Sequence, residues 1–122
     1  MQYMLLSYDD DQAWDDLGDG ARERAMQEAV GLCHEIKAKG QYRRAAPLEP
    51  IAQTTSVRVR EGRQIVTDGP FAETHEHLGG FYLIDVESLE DAIAIAARHP
   101  GARLGTVQIR PVIELAGLPA SE

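Results

Sequence analysis

Cysteine occurs once, at Cys33, so the chain can close no disulfide on itself and can assemble no zinc site of clustered thiolates. Basic residues are outnumbered, 12 Lys and Arg against 20 Asp and Glu, for a formal net charge of -8. A surface of that sign repels a phosphate backbone, and no nucleic-acid partner is expected. Apolar runs stay far below the roughly 18 residues that cross a bilayer. No basic start followed by an apolar segment marks a secretory leader, so no membrane partner is expected and the cytoplasm is the expected compartment. The sequence holds no Walker loop, no Gly-x-Gly-x-x-Gly and no Gly-x-Ser-x-Gly, which leaves nucleotide, dinucleotide and serine-hydrolase functions without a foothold. What remains is the composition of a folded protein, 43% hydrophobic and 26% charged over 122 residues, with length for one domain. We place that domain at residues 1–115 and a frayed tail at 116–122.

The opening Met1 to Tyr8 reads as a buried strand stopped by Asp9, Asp10 and Asp11. The apolar positions Met26, Ala29, Val30, Cys33 and Ile36 recur at helical steps and predict a helix over 21–39, with Gly40 as its stop. Tyr42 to Leu48 returns to extended chain, and Pro47 and Pro50 fit a strand that ends at a sheet edge. Two short runs around Glu61, Gly62 and Arg63 predict a hairpin over 55–67, with Gly62 at positive φ. Gly80 to Val86 is another apolar strand. Ser88 and Asp91 form an approximate capping box ahead of a helix whose stripe is Leu89, Ala92, Ile93, Ala96 and Ala97, ended by Pro100 and Gly101. Val107, Ile109, Ile113 and Leu115 alternate with polar residues as a half-buried last strand.

The resulting order is strand, helix, strand, inserted hairpin, strand, helix, strand, the α+β ferredoxin-like βαββαβ pattern. Two helices cover one face of a four-stranded sheet. The other face, with Tyr3, Tyr42 and Tyr82 as candidates, must meet water or another subunit, and a second copy in a homodimer is expected.

The run Val66-Thr67-Asp68-Gly69-Pro70-Phe71-Ala72-Glu73-Thr74 resembles the DGPF proteins of the YCII-related superfamily. The likeness continues in order through Tyr3 to Leu6, Thr55 with Val57 to Arg60 and Gly62, Leu78 to Val86, and Ile109 to Val112. It implies a dimeric α+β barrel in which the open sheet faces of two protomers pack together. YCII-like relatives place a histidine on the first helix and an acidic residue near the end of the second. Those places fall here on Ala29 and on Arg98 or His99, so that pair is not carried over. Some relatives are associated in genomes with extracytoplasmic-type sigma factors, which implies a regulatory role as an alternative to catalysis.

Asp68 is the first catalytic candidate, because a carboxylate before Gly69 and Pro70 sits at a chain reversal that can fix its direction. The structural alternative is an aspartate that accepts hydrogen bonds from its own turn. Phe71 is a candidate ligand contact or, alternatively, a core or interface plug. Glu73, His75 and His77 share one face of an extended segment and could converge on an ion or a proton-transfer site. Relatives resemble this sequence with Lys in place of His75 and Gln in place of His77, and two imidazoles fall short of a closed zinc site, so no metal and no cofactor is expected. Cys33 and His34 match no nucleophile motif, and His99 is expected at the helix C-terminal carbonyls. The acidic stretch from Asp9 to Asp19 lacks the order of a calcium loop and reads as a solvated loop.

Two function classes follow. One is a small cofactor-independent enzyme of isomerase, lyase or oxygenase type acting on a small organic molecule. In it Asp68 is the acid or base, His75 or Tyr82 its proton partner, Arg58 or Arg110 the holder of an anionic group, and Phe71 and Glu73 further ligand contacts. The other is a non-enzymatic ligand-binding or regulatory module.

Overall fold

The computed structural model describes residues 1–70 and 75–120. Strand β1, Gln2–Asp9, alternates without a break between half-buried and buried residues, the period-two pattern of a strand covered on one face. Tyr3, Leu5, Ser7 and Asp9 form its covered row. The acidic stretch that follows is structured rather than a loop. Asp10 caps a short helix α1, Asp11–Asp16, by accepting the Gln12 N–H at 2.9 Å, and carboxylates are favoured at such an N-terminus.

Helix α2, Asp19–Ala38, and strand β2, Tyr42–Pro47, come next. A 3₁₀ turn, Ile51–Gln53, leads into the hairpin strands β3, Thr55–Arg60, and β4, Arg63–Asp68. Strand β5, His77–Asp85, helices α3, Leu89–Arg98, and α4, Gly101–Leu104, and strand β6, Thr106–Pro111, complete the order. β1 and β5 are the inner strands of an antiparallel sheet with order β2-β5-β1-β6. The proline-bearing β2 lies at an edge, where a missing N–H does no harm.

Leu32 and Ile36 of α2 and Ala92, Ile95 and Ala96 of α3 pack in one cluster with Tyr3, Leu5, Tyr82 and Ile84, so both long helices cover the same sheet face. The fold class is α+β. Tyr3 and Tyr82 therefore sit on the helix side, not on the open face, and Tyr42 packs against the same core. Both rows of β1 are apolar, and periodicity could not choose between them. The inward residues of α3 include Ile95, while Ile93 and Leu89 are exposed. In α2 the inward residues are Leu32 and Ile36, with Met26 and Val30 exposed. The last strand stops at Pro111, which leaves Ile113 85% exposed and Leu115 outside it. Ser88 does cap α3, its hydroxyl accepting the Asp91 N–H at 3.2 Å.

The hairpin turns through Glu61 and Gly62, both at positive φ (53° and 75°), the geometry of a two-residue primed turn. β3 and β4 pair only with each other among the described residues. Every residue of β4 is exposed.

Candidate functional site

The covered row of β1 changes character along its length, from Tyr3 and Leu5 to Ser7 and Asp9. The polar end opens into a cleft of about 1030 Å³ between the sheet, α1 and α2, walled by Trp14, Met26, Ala29, Cys33, Tyr82 and His99 among others. Its size and mixed lining are those of a small-molecule site.

Asp9 is only 5% exposed. Its carboxylate accepts the Trp14 indole N–H at 2.7 Å, and burial pushes its pKa above the usual carboxylate value, against the Trp14 bond, which lowers it. The nearby charges of Asp11, Glu76 and Asp10 push the same way as burial. Space for the carboxylate comes from a bulge in β5, where the pairing steps from Ser7–Gly80 to Tyr8–Leu78 and leaves Gly79 unpaired. A Cβ on Gly79 would lie 2.9 Å from Asp9 Oδ1.

Ser7 is 6% exposed, and its Oγ has no hydrogen-bond partner among the described residues. A buried hydroxyl left in that state costs about 1–3 kcal/mol. Ser7 lines the cleft. His99 accepts the Gly101 N–H at Nδ1, 2.9 Å away, so in the neutral ring the proton is on Nε2. Burial holds its pKa below the ordinary histidine value. A neutral ring that accepts through Nδ1 differs from the expected cation on helix carbonyls, because the ring is turned into the core, edge-on to Tyr82 at 4.9 Å between centroids. Burial, with Cys33 beside it, raises the Tyr82 pKa, and burial raises that of the Cys33 thiol. Phenol and thiol stay protonated. The floor thus presents one carboxylate, Asp9, with a hydroxyl, a phenol and a neutral imidazole, the equipment of proton transfer without a thiolate nucleophile.

Of the residues singled out in the sequence, Tyr82 lines this cleft, and so does His77, which pairs with Asp9 across the strands. Asp68 is exposed at the end of β4, opposite Thr55. The turn behind it is closed by other groups: the Gly69 N–H donates to the Thr54 carbonyl at 2.7 Å, and Ser56 Oγ donates to the Gly69 carbonyl at 2.7 Å. His75 is exposed, Arg58 lies on the hairpin and Arg110 on the exposed row of β6. None of these four lines the cleft. Phe71 and Glu73 lie outside the described residues. No three His, Cys, Asp or Glu side chains among the described residues are grouped to hold a metal ion.

Ser7, Asp9, Trp14 and His99 were missed in the sequence as site residues. One signal was present: Asp9 continues the odd-numbered row of Tyr3, Leu5 and Ser7, which makes it the last inward residue of a strand rather than the first of a loop.

Comparison with known proteins assigns the chain to a family but not to a reaction. An uncharacterised protein of Rhizobium meliloti (strain 1021) is 34% identical over 114 residues, which cover 92% of each chain. The YCII-related domain matches residues 1–116. An α+β sheet covered on one face by two helices, with a polar cleft at the end of its first strand, is accordingly the form taken here by a chain that belongs to the YCII-related domain family.

Proposed function

We propose that this protein binds a small organic molecule in the cleft and moves a proton on it without a cofactor, as an isomerase, lyase or oxygenase would. The observation that carries this reading is the cleft itself, about 1030 Å³ with the buried Asp9 carboxylate, Tyr82 and His99 in its lining. A cavity of that size and mixed lining is the form that small-molecule sites take. Asp9 takes a proton from the substrate as a carboxylate and returns it as the acid. Tyr82 O–H and His99 Nε2–H donate to a substrate oxygen as negative charge grows there. The non-enzymatic alternative uses the same cleft for binding alone.

The test is a thermal-shift screen of small organic molecules against the wild type and Ala29→Phe, which fills the cleft from α2. Stabilising compounds that lose their effect in Ala29→Phe, with the variant's own melting temperature within a few degrees of wild type, support the reading. A library without such a compound sinks it. Turnover of a hit that disappears in Asp9→Asn separates enzyme from binding module.

The wider expectation of a DGPF-type, ferredoxin-like protomer that dimerises through its open sheet face also belongs here. Its support is the strand order β2-β5-β1-β6 with both long helices on one side, and apolar residues Val57, Val59, Ile65 and Val66 exposed on a hairpin that pairs with no other strand described. A lone two-stranded ribbon is marginal in water, and a second copy supplies what it lacks.

A further inference from the structure

The charge around the cleft is as uneven as its shape. Six carboxylates line it: Asp9, buried; Asp11, half-buried; and Asp15, Asp19, Glu23 and Glu49, exposed. Only Arg22 and Lys37 supply fixed positive charge among the described lining residues, and Arg22 is engaged by Asp15 at 3.3 Å and Asp19 at 2.7 Å. A concave site of one sign focuses the field of its walls and gathers the opposite charge. An anionic substrate is disfavoured there.

The carboxylates do not converge on a point as metal ligands must. They are spread around a space of about 1030 Å³ whose walls include the Trp14 indole, Met26 and Val30, a lining that suits an apolar body. Asp9, 5% exposed and with the Trp14 indole as a donor, is the buried carboxylate of that lining. We propose that the cleft selects a small organic cation, a protonated amine on an aryl or alkyl body, its ammonium facing Asp9 and Asp11 and its body against Trp14. This rests on the small-molecule reading of the cleft and names the chemical class that the site takes. The raised proton affinity of Asp9 is consistent with it, since an adjacent cation relieves the repulsion from Asp11, Glu76 and Asp10. The indole face adds a cation–π attraction.

The experiment compares three probes of nearly one shape and different charge, phenethylamine, 2-phenylethanol and phenylacetate, by calorimetric titration at low salt and slightly alkaline pH. The amine is expected to bind at least about tenfold tighter than the alcohol, and phenylacetate weakest of the three. Asp9→Asn should weaken the amine by about tenfold and leave the alcohol unchanged; Asn keeps an acceptor for Trp14, so the variant is expected to fold. Equal affinity for amine and alcohol, preference for phenylacetate, an unaffected Asp9→Asn, no amine binding at about 10 mM, or displacement of the amine by submillimolar calcium each overturns the proposal. Alcohol or carboxylate binding that Ala29→Phe removes would retire the cation and leave the small-molecule reading standing.

Discussion

Asp9 and His99 face each other's problem with opposite charge: burial disfavours the anion of one and the cation of the other. For Asp9 the folded pKa lies above the unfolded value, so between the two the folded chain holds more protons and stability falls as pH rises through that window. Asp9→Asn should therefore raise stability at pH 7.5, with the gain closing as pH drops toward the unfolded carboxylate range. Urea melts at several pH values check this, and an Asn variant less stable than wild type at pH 7.5 would contradict it. For His99 the folded pKa lies below the ordinary one, so the unfolded chain takes up the proton first. Its contribution is complete above about pH 6.5 and is lost as pH falls through the folded pKa. The His99 ring, followed by NMR, should titrate below the ordinary histidine value and should show the Nε2–H tautomer. Adding a methyl to Gly101 would bring it against Ser7 Oγ and the His99 ring; Gly101→Ala should destabilise the fold by about 1–3 kcal/mol, the scale of overpacking, and shift the His99 resonances.

Among the elements, α3 gives the simplest test. Ser88→Ala removes the acceptor for the Asp91 N–H and should cost about 1 kcal/mol in a denaturant melt. That cap was legible because it depends on a residue and its neighbour three places on. So was the primed turn, since Glu61-Gly62 lies between two strand-like runs. Facing was less legible. Ile93 and Ile95 are both apolar, and the choice of Ile95 is made by where α3 meets the sheet, information that helical spacing does not hold. Met26 and Val30 continue an apolar stripe in sequence, yet α2 stands off from β2 there and the cleft opens along them. The site was least legible. Asp9 belongs to an acidic run, and what sets it apart is a bulge at Gly79 seventy residues later and an indole donated by Trp14. Such an environment is assembled by topology and leaves no spacing to read.

At the scale of the whole molecule, the net charge of -8 sets a uniform repulsion against which any assembly must form. The homodimer reading expects light scattering at micromolar protein to give about twice the 13.4 kDa chain mass, with added salt shifting the balance further toward dimer. A stable monomer under those conditions would contradict it, and Val57→Asp, placing a carboxylate on a residue 62% exposed, should move the equilibrium toward monomer without unfolding the protomer. The β3–β4 ribbon also gives the protein a built-in clock. Its cross-strand amides are held by one set of ladder bonds, and every β4 residue is exposed, so in a lone protomer they should trade deuterium nearly as fast as an open chain while the β1–β5 amides hold theirs. On the homodimer reading, a second copy that covers the ribbon should silence the same amides. On that reading their exchange rate as a function of dilution measures association amide by amide, in strands that do not line the cleft.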